Sequence, residues 1–388
     1  MKCEARDMKH HPSDIIQQTS LYIHFPFCRS RCIYCDFYST TLGQDIMAAY
    51  VRALERELSL RSQNIQQCTR VHTIYIGGGT PSLMPSDLLK DLFSSIEHLL
   101  TIDDGAEVTI EANPDDVTKD WLKGISATPI NRISMGAQTF DDRLLSFLNR
   151  RHNAQQVVDT VKTCKEAGIT NISLDLIYGL PGQTMEMWQR DVEQALSLDI
   201  KHLSAYSLTY EEGTKLDAML KKGLVEETDE ELSRKMYDYL MTETSKAGFL
   251  HYEISNFALP GFHSRHNSCY WQSTPYLGLG AGAHSYDGHR TRRANLPDIK
   301  AYLAATDDVP HETEELSDND LFNEFVMTRL RTSKGIPLNE LSEKERNYCL
   351  SLAEPHIKHH LLCIKNEHLC LTKEGIFTSN DIISDLMK

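Results

Sequence analysis

The feature that most constrains this chain is a repeated alternation of short β-rich runs with segments of helical period. The runs are Leu21–Phe25, Thr73–Ile76, Glu107–Ala112, Arg132–Ala137, Asn171–Ile177 and His202–Tyr206. Helical patterns follow at about 46–62, 86–99, 117–125, 154–167, 184–198 and, after a longer excursion, 229–247. Strands separated by helices pair in parallel through right-handed crossovers. Six such units predict an α/β fold, a partial (β/α)6 barrel over residues 21–250. An open doubly wound sheet has the same alternation, so the placement of unusual residues has to decide. Polar or glycine-rich residues recur at the carboxyl end of each run: Cys28 to Cys35, Gly77 to Pro81, Glu111 to Pro114, Gly136 to Gln138, Asp175 to Gly182, and Tyr206 to Thr209. In a barrel these ends share one face, which is where active sites form.

The rest of the chain divides around that unit. Residues 1–20 are polar, lack the apolar core of a secretory signal, and read as a flexible tail. Residues 251–310 are rich in Gly, His and Asn and poorly periodic, and are expected to cover the open side of the barrel. Residues 311–388 read as a small α+β unit. It has helix patterns at Asp318–Arg331 and Glu343–His359, a hairpin of Leu362–Ile364 and Leu369–Leu371, and a last helix near 378–387. Helices with a hairpin suggest a winged-helix-like module, which does not by itself imply DNA binding. Net charge is −15, so general nucleic-acid binding is disfavoured. No apolar run reaches membrane-spanning length, and a cytoplasmic location is expected.

Of ten cysteines, only Cys28, Cys32 and Cys35 cluster. Three thiolates on one short loop can each hold one iron of a cubane cluster and leave the fourth iron open to a small molecule. Zinc fits less well, because a structural zinc site needs four ligands; His24, on the preceding strand, is the nearby candidate for a fourth.

A Cys-x3-Cys-x2-Cys loop after a strand, with Tyr34 before the last cysteine, resembles the radical S-adenosylmethionine (SAM) superfamily. With Tyr22-Ile-His24-Phe-Pro26-Phe-Cys28, Gly77-Gly-Gly-Thr-Pro81 and Ser134-Met-Gly-Ala-Gln138-Thr-Phe, the chain is similar to the oxygen-independent coproporphyrinogen III oxidase family from about 20 to 385. Two departures stand out. The oxidases have a further cysteine where this chain has Phe37, and a longer amino-terminal segment where only 21 residues precede Tyr22 here. These departures, with His266-Asn267-Ser-Cys-Tyr270-Trp271, resemble the haem-chaperone (HemW) branch.

That resemblance implies a [4Fe–4S] cluster on Cys28, Cys32 and Cys35, and SAM held by Tyr22, Gly78, Gly79, Thr80, Glu111, Gln138, Arg150, Asp175 and Thr209. It implies haem as cargo, with His266 as the candidate ligand and Tyr270 and Trp271 stacking on the porphyrin. Cys269, His263 and His284 are nearby alternatives. The implied function is delivery of haem to haem proteins of the respiratory chain, and peripheral membrane contact and a homodimer are compatible with it. Two alternatives stand beside it: oxidative decarboxylation of coproporphyrinogen III, and a radical SAM methyltransferase or tRNA modifier.

Overall fold

The computed structural model describes residues 18–43, 45–63 and 69–388. The expected tail lies outside the described residues as far as residue 17, and residues 18–20 already belong to the first strand. Six strands form the centre of a large sheet: β1 (Gln18–Phe25), β2 (Arg70–Gly78), β3 (Thr101–Ala112), β4 (Arg132–Gln138), β5 (Ile172–Tyr178) and β6 (His202–Ser207). Each pairs with the next in parallel. Eight helices lie within and after these units: α1 (Asp45–Ser62), α2 (Ser86–Leu99), α3 (Lys119–Ile125), α4 (Asp142–Phe147), α5 (Ala154–Glu166), α6 (Met185–Ser197), α7 (Lys215–Lys221) and α8 (Glu230–Lys246). The expected alternation holds, with two short additional helices, α4 and α7. A helix of six or seven residues has too few turns to show a period.

The strands place their side chains by the two-residue period of the pleat. On β2, Ile74 and Ile76 join the core beneath the helices, whereas Tyr75 turns into a cavity inside the sheet's curve. Leu54, Leu58, Leu92, Ile96, Val157, Val161 and Trp188 cover the outer face, all at most 1% exposed. Helix starts are fixed by side-chain caps. Asn153 and Gln156 form a reciprocal capping box on α5, and Thr118 and Thr184 cap α3 and α6.

The segment expected only to cover the barrel instead extends its sheet. β7 (Leu250–Glu253) and β8 (Asn256–Ala258) follow α8, and β8 pairs antiparallel with β6. After α9 (Arg265–Trp271), β9 (Tyr276–Leu279) pairs parallel with β1 on the other edge. β10 (His284–Tyr286), β11 (Thr291–Asn295), α10 (Ile299–Ala304) and β12 (His311–Glu315) complete that edge. The strand order is β12-β11-β10-β9-β1-β2-β3-β4-β5-β6-β8-β7. β12 therefore belongs to the large sheet, and the carboxyl-terminal unit starts after it rather than at 311.

That unit comprises α11 (Asp318–Leu330), β13 (Ile336–Pro337), α12 (Glu343–Lys358), β14 (Leu362–Lys365), β15 (His368–Leu371) and α13 (Ser379–Leu386). Its small sheet has the order β13-β15-β14, and it has its own core around Phe322, Val326, Leu330, Leu369 and Ile382. The hairpin turns on Asn366 and Glu367, both at positive φ, as a two-residue turn requires.

Candidate functional site

The three cysteines sit on the loop after β1, at the mouth of a cavity of about 450 Å³ inside the parallel strands. The loop is anchored at both ends. Phe25 and Phe27 are fully buried, and Cys28 N–H donates to Thr40 O at 2.8 Å. In its middle, Ile33 enters a small apolar cluster with Leu148, Leu180 and Leu216, and Asn149 Nδ2 donates to Arg31 O at 2.8 Å. Burial pushes the Cys28 thiol up, and pushes Cys35 up to about 11. Thr80 Oγ1 donates to Cys28 Sγ at 3.5 Å, and Arg150 Nη1 to Cys32 Sγ at 3.4 Å.

The donor set fits the cluster. Among the described residues no three His, Cys, Asp or Glu side chains converge as a single-ion site requires. Three thiols spread around a loop suit a cubane, in which each thiolate takes a different iron. His24 is excluded as a fourth zinc ligand by its partners. It is 5% exposed, its Nδ1 meets Tyr22 Oη at 3.0 Å and its Nε2 meets Tyr38 O at 2.9 Å.

The cavity collects most of the residues expected to hold SAM. Gly78, Gly79, Thr80, Glu111, Gln138, Arg150, Asp175 and Thr209 all line it. Tyr22 does not; it lies against Tyr75 and His266, with its hydroxyl on His24. The glycines also have a role that spacing alone does not reveal. A Cβ on Gly78, at φ +114, would lie 2.6 Å from the His24 ring, and one on Gly79 would lie 2.7 Å from Phe27 O. The missing side chains thus bring β2 against the cysteine loop. Gly136 has a parallel role, since its Cβ would lie 2.6 Å from Gln138 Nε2 and 3.2 Å from Arg150 Nη2. Gln138 itself stands at φ +67.

Arg150 is held by Asn113 Oδ1 and Gly136 O, each accepting from Nη2 at 2.7 Å. Glu111 accepts from Tyr75 Oη at 2.8 Å and Gly78 N–H at 3.0 Å. Burial pushes its carboxyl up to about 7, although both donors favour the ionised form. Burial also raises Asp175, which accepts from Ser134 Oγ at 3.4 Å. Tyr75, Arg132 and Ser204 line the same cavity without standing out in the sequence, and Asn113, Ser134, Tyr206 and Asn267, which stand in its motifs with no role implied for them, line it too. The inward face of each strand was the available signal, once one inward residue per strand was known.

The raised Glu111 pKa has a testable sign. An acid whose folded pKa lies above its unfolded value binds its proton more tightly when folded. Stability is therefore greatest below the unfolded pKa near 4.5 and falls as pH rises to about 7. Between pH 5 and 8 the cluster-free wild type is expected to lose about 2 kcal/mol relative to Glu111→Gln, because each tenfold gain in proton affinity is worth about 1.4 kcal/mol. Urea unfolding of both proteins at the two pH values measures this, and parallel curves would refute it.

The haem candidates lie elsewhere. Helix α9 packs on β2 and lends Asn267 to the cavity wall, while His266 is 1% exposed and stacks on Tyr75. Its Nδ1 meets Thr73 Oγ1 at 2.8 Å and its Nε2 meets Tyr270 Oη at 3.0 Å. Burial pushes it down to about 3. Both ring nitrogens of this candidate haem ligand thus have partners within the fold, and burial favours the neutral ring. Tyr270 packs edge-on against His266 and Tyr276, and neither Tyr270 nor Trp271 lines the cavity. Cys269 is buried beside His72, His263 stacks on Tyr252, and His284 is exposed.

No helix among the described residues is long and apolar enough to cross a membrane. Residues 22–195 match the radical SAM superfamily model, and residues 316–378 match the HemN C-terminal domain. The heme chaperone HemW of Lactococcus lactis is 37% identical over 374 residues, covering 95% of this chain and 97% of that protein. The Bacillus subtilis heme chaperone HemW is 38% identical, covering 84% and 86%. The bovine mitochondrial radical S-adenosyl methionine domain-containing protein 1 is 32% identical, covering 84% and 76%. The coproporphyrinogen III oxidase HemN of Escherichia coli, a radical SAM enzyme, superposes with a TM-score of 0.82 at 21% identity, over 96% of this chain and 90% of that one; this likeness shows the fold. With matches of this identity over most of its length, the chain belongs to the radical SAM superfamily, in the HemW branch of the HemN-like proteins.

Proposed function

We propose that the protein is a haem chaperone of the cytoplasm, which binds haem together with a [4Fe–4S] cluster and SAM and delivers the haem to respiratory haem proteins. The observation that carries this reading is the 37% identity to a heme chaperone across 95% of the chain. Cys28, Cys32 and Cys35 would hold the cluster. Gly78, Gly79, Thr80, Glu111, Gln138, Arg150, Asp175 and Thr209 would hold SAM, and Arg150 suits its carboxylate because a guanidinium presents a fork of donors. When bound, the cluster supplies an electron that can cleave the SAM sulfonium.

The chain's own residues shape what can follow. Phe37, where the oxidases carry a further cysteine, lines the cavity mouth at 65% exposure and offers an apolar surface in place of a thiol. Haem ligation by His266 requires one ring nitrogen to be released: release by Thr73 breaks the bond between α9 and β2, whereas release by Tyr270 leaves that bond in place.

Anaerobically reconstituted protein titrated with haem is expected to give a saturable Soret shift at about one haem per chain, with coproporphyrinogen III left unconsumed. Turnover of coproporphyrinogen III without haem binding would establish the oxidase reading instead. Unchanged haem affinity in His266→Ala would remove that residue as the ligand.

A further inference from the structure

Arg132 is a feature of the cavity that neither the cluster nor SAM explains. It opens β4, and its side chain turns into the barrel interior, where it lines the cavity. It is 2% exposed and among the largest fully buried side chains. Its single side-chain hydrogen bond among the described residues is a long one, from Nη1 to Thr109 Oγ1 at 3.5 Å. Its Nε has no partner among them. The contrast with Arg151 is direct: that guanidinium holds Asp115 and Asp116, each at 2.8 Å. Arg150, also on the cavity, likewise has an unpartnered Nε, but its Nη2 donates two short bonds, to Asn113 Oδ1 and Gly136 O at 2.7 Å.

A buried guanidinium has five N–H donors and no means of losing its charge. Left unpaired in a dry interior it is costly, so such a group is expected to meet an anion in the working state. The nearest acids do not fill that need. Glu111 and Asp175 both feel the charge of Arg132, yet no hydrogen bond joins either to the guanidinium: Glu111 accepts from Tyr75 and Gly78, and Asp175 from Ser134. Arg132 opens β4 opposite Thr109 of β3, whereas the three cysteines follow the carboxyl end of the parallel strand β1, so the two stand at different levels of the same cavity.

We infer that Arg132 is a binding residue for a carboxylate of the cargo, a propionate group of the tetrapyrrole, received inside the barrel. The inference rests on the proposed haem-chaperone function and deepens it. The fork of the guanidinium matches a carboxylate. The other carboxylate available to this cavity is that of SAM, and the experiment separates the two.

Haem and its dimethyl ester are titrated separately, in one solvent mixture, into the reconstituted wild type, Arg132→Gln and Arg132→Lys, and SAM affinity is measured on each protein. Wild type is expected to bind the diacid at least about ten-fold more tightly than the diester, the scale of one charge-assisted hydrogen-bonded pair. In Arg132→Gln that preference should shrink to about two-fold, with diester and SAM affinities unchanged. Arg132→Lys retains the charge and should lie between; it carries the test if circular dichroism shows the Gln variant to be unfolded. Equal affinity of wild type for diacid and diester would overturn the assignment, as would a preference that survives in Arg132→Gln. A fall confined to SAM affinity would give Arg132 to SAM and also overturn it. Wild type that binds neither porphyrin refutes the chaperone reading itself, and the assignment with it.

Discussion

Cys32→Ser, reconstituted anaerobically, is expected to retain less than about a tenth of the wild-type iron and to lose the broad absorption near 400 nm, because a cubane held by three thiolates cannot be kept by two. No neighbouring residue can take over. His24 has both ring nitrogens engaged, and the described cysteines outside the loop lie away from the cavity. Cys164 and Cys349 supply the contrast. Each is fully buried, and burial pushes their thiols up to about 12 and about 11, so they stay protonated and inert. Cys164→Ala should bind as much iron as wild type. Iron retained by Cys32→Ser, or lost equally in Cys164→Ala, would place the cluster elsewhere.

Gly79→Ala should weaken both the fold and the site. The added Cβ would meet Phe27 O and Pro26 C at 2.7 Å and Pro26 O at 2.8 Å. All three are backbone atoms of the segment leading into the cysteine loop, so no side-chain rotation relieves the clash. Gly79 N–H also donates to Phe25 O at 2.9 Å, which ties the two loops together. Overpacking of this kind costs about 1–3 kcal/mol, and here the strain falls on the cluster ligands. The urea midpoint should drop, and the reconstituted cluster should bleach several-fold faster in air than in wild type. Gly105→Ala is the control: its Cβ meets nothing within 4 Å, and its effect should stay within about 0.5 kcal/mol. Equal behaviour of the two variants would show that the β2 turn does not support the loop.

Much of this architecture is legible in the residues because it is local. Each parallel strand is followed by its own helix, and the special residues cluster where strand turns to loop. The hairpin around Asn366 and Glu367 is read the same way, from two short apolar runs and a polar turn between them. The segment from 250 to 315 is not legible, for a physical reason. Its strands are three to five residues long, and β9 finds its partner in β1, with Ser20 opposite Tyr276. No window of sequence contains both halves of that pair. The site divides in the same manner. The cysteines, the glycines and Glu111 announce themselves by motif, whereas Arg132 reads as a strand-initiating arginine that would ordinarily face water. His266 stands out in the sequence, but only the fold shows that Thr73 and Tyr270 already occupy it.

Above all, three thiolates must leave one iron of the cluster free for SAM. Electron paramagnetic resonance of the reduced, reconstituted wild type, recorded before and after SAM is added, tests this directly. The expected result is about four irons per chain and a cluster signal whose g-values shift on SAM addition, as one uniquely open iron requires. Protein that stays colourless, holds one zinc, or gives a signal indifferent to SAM would contradict it.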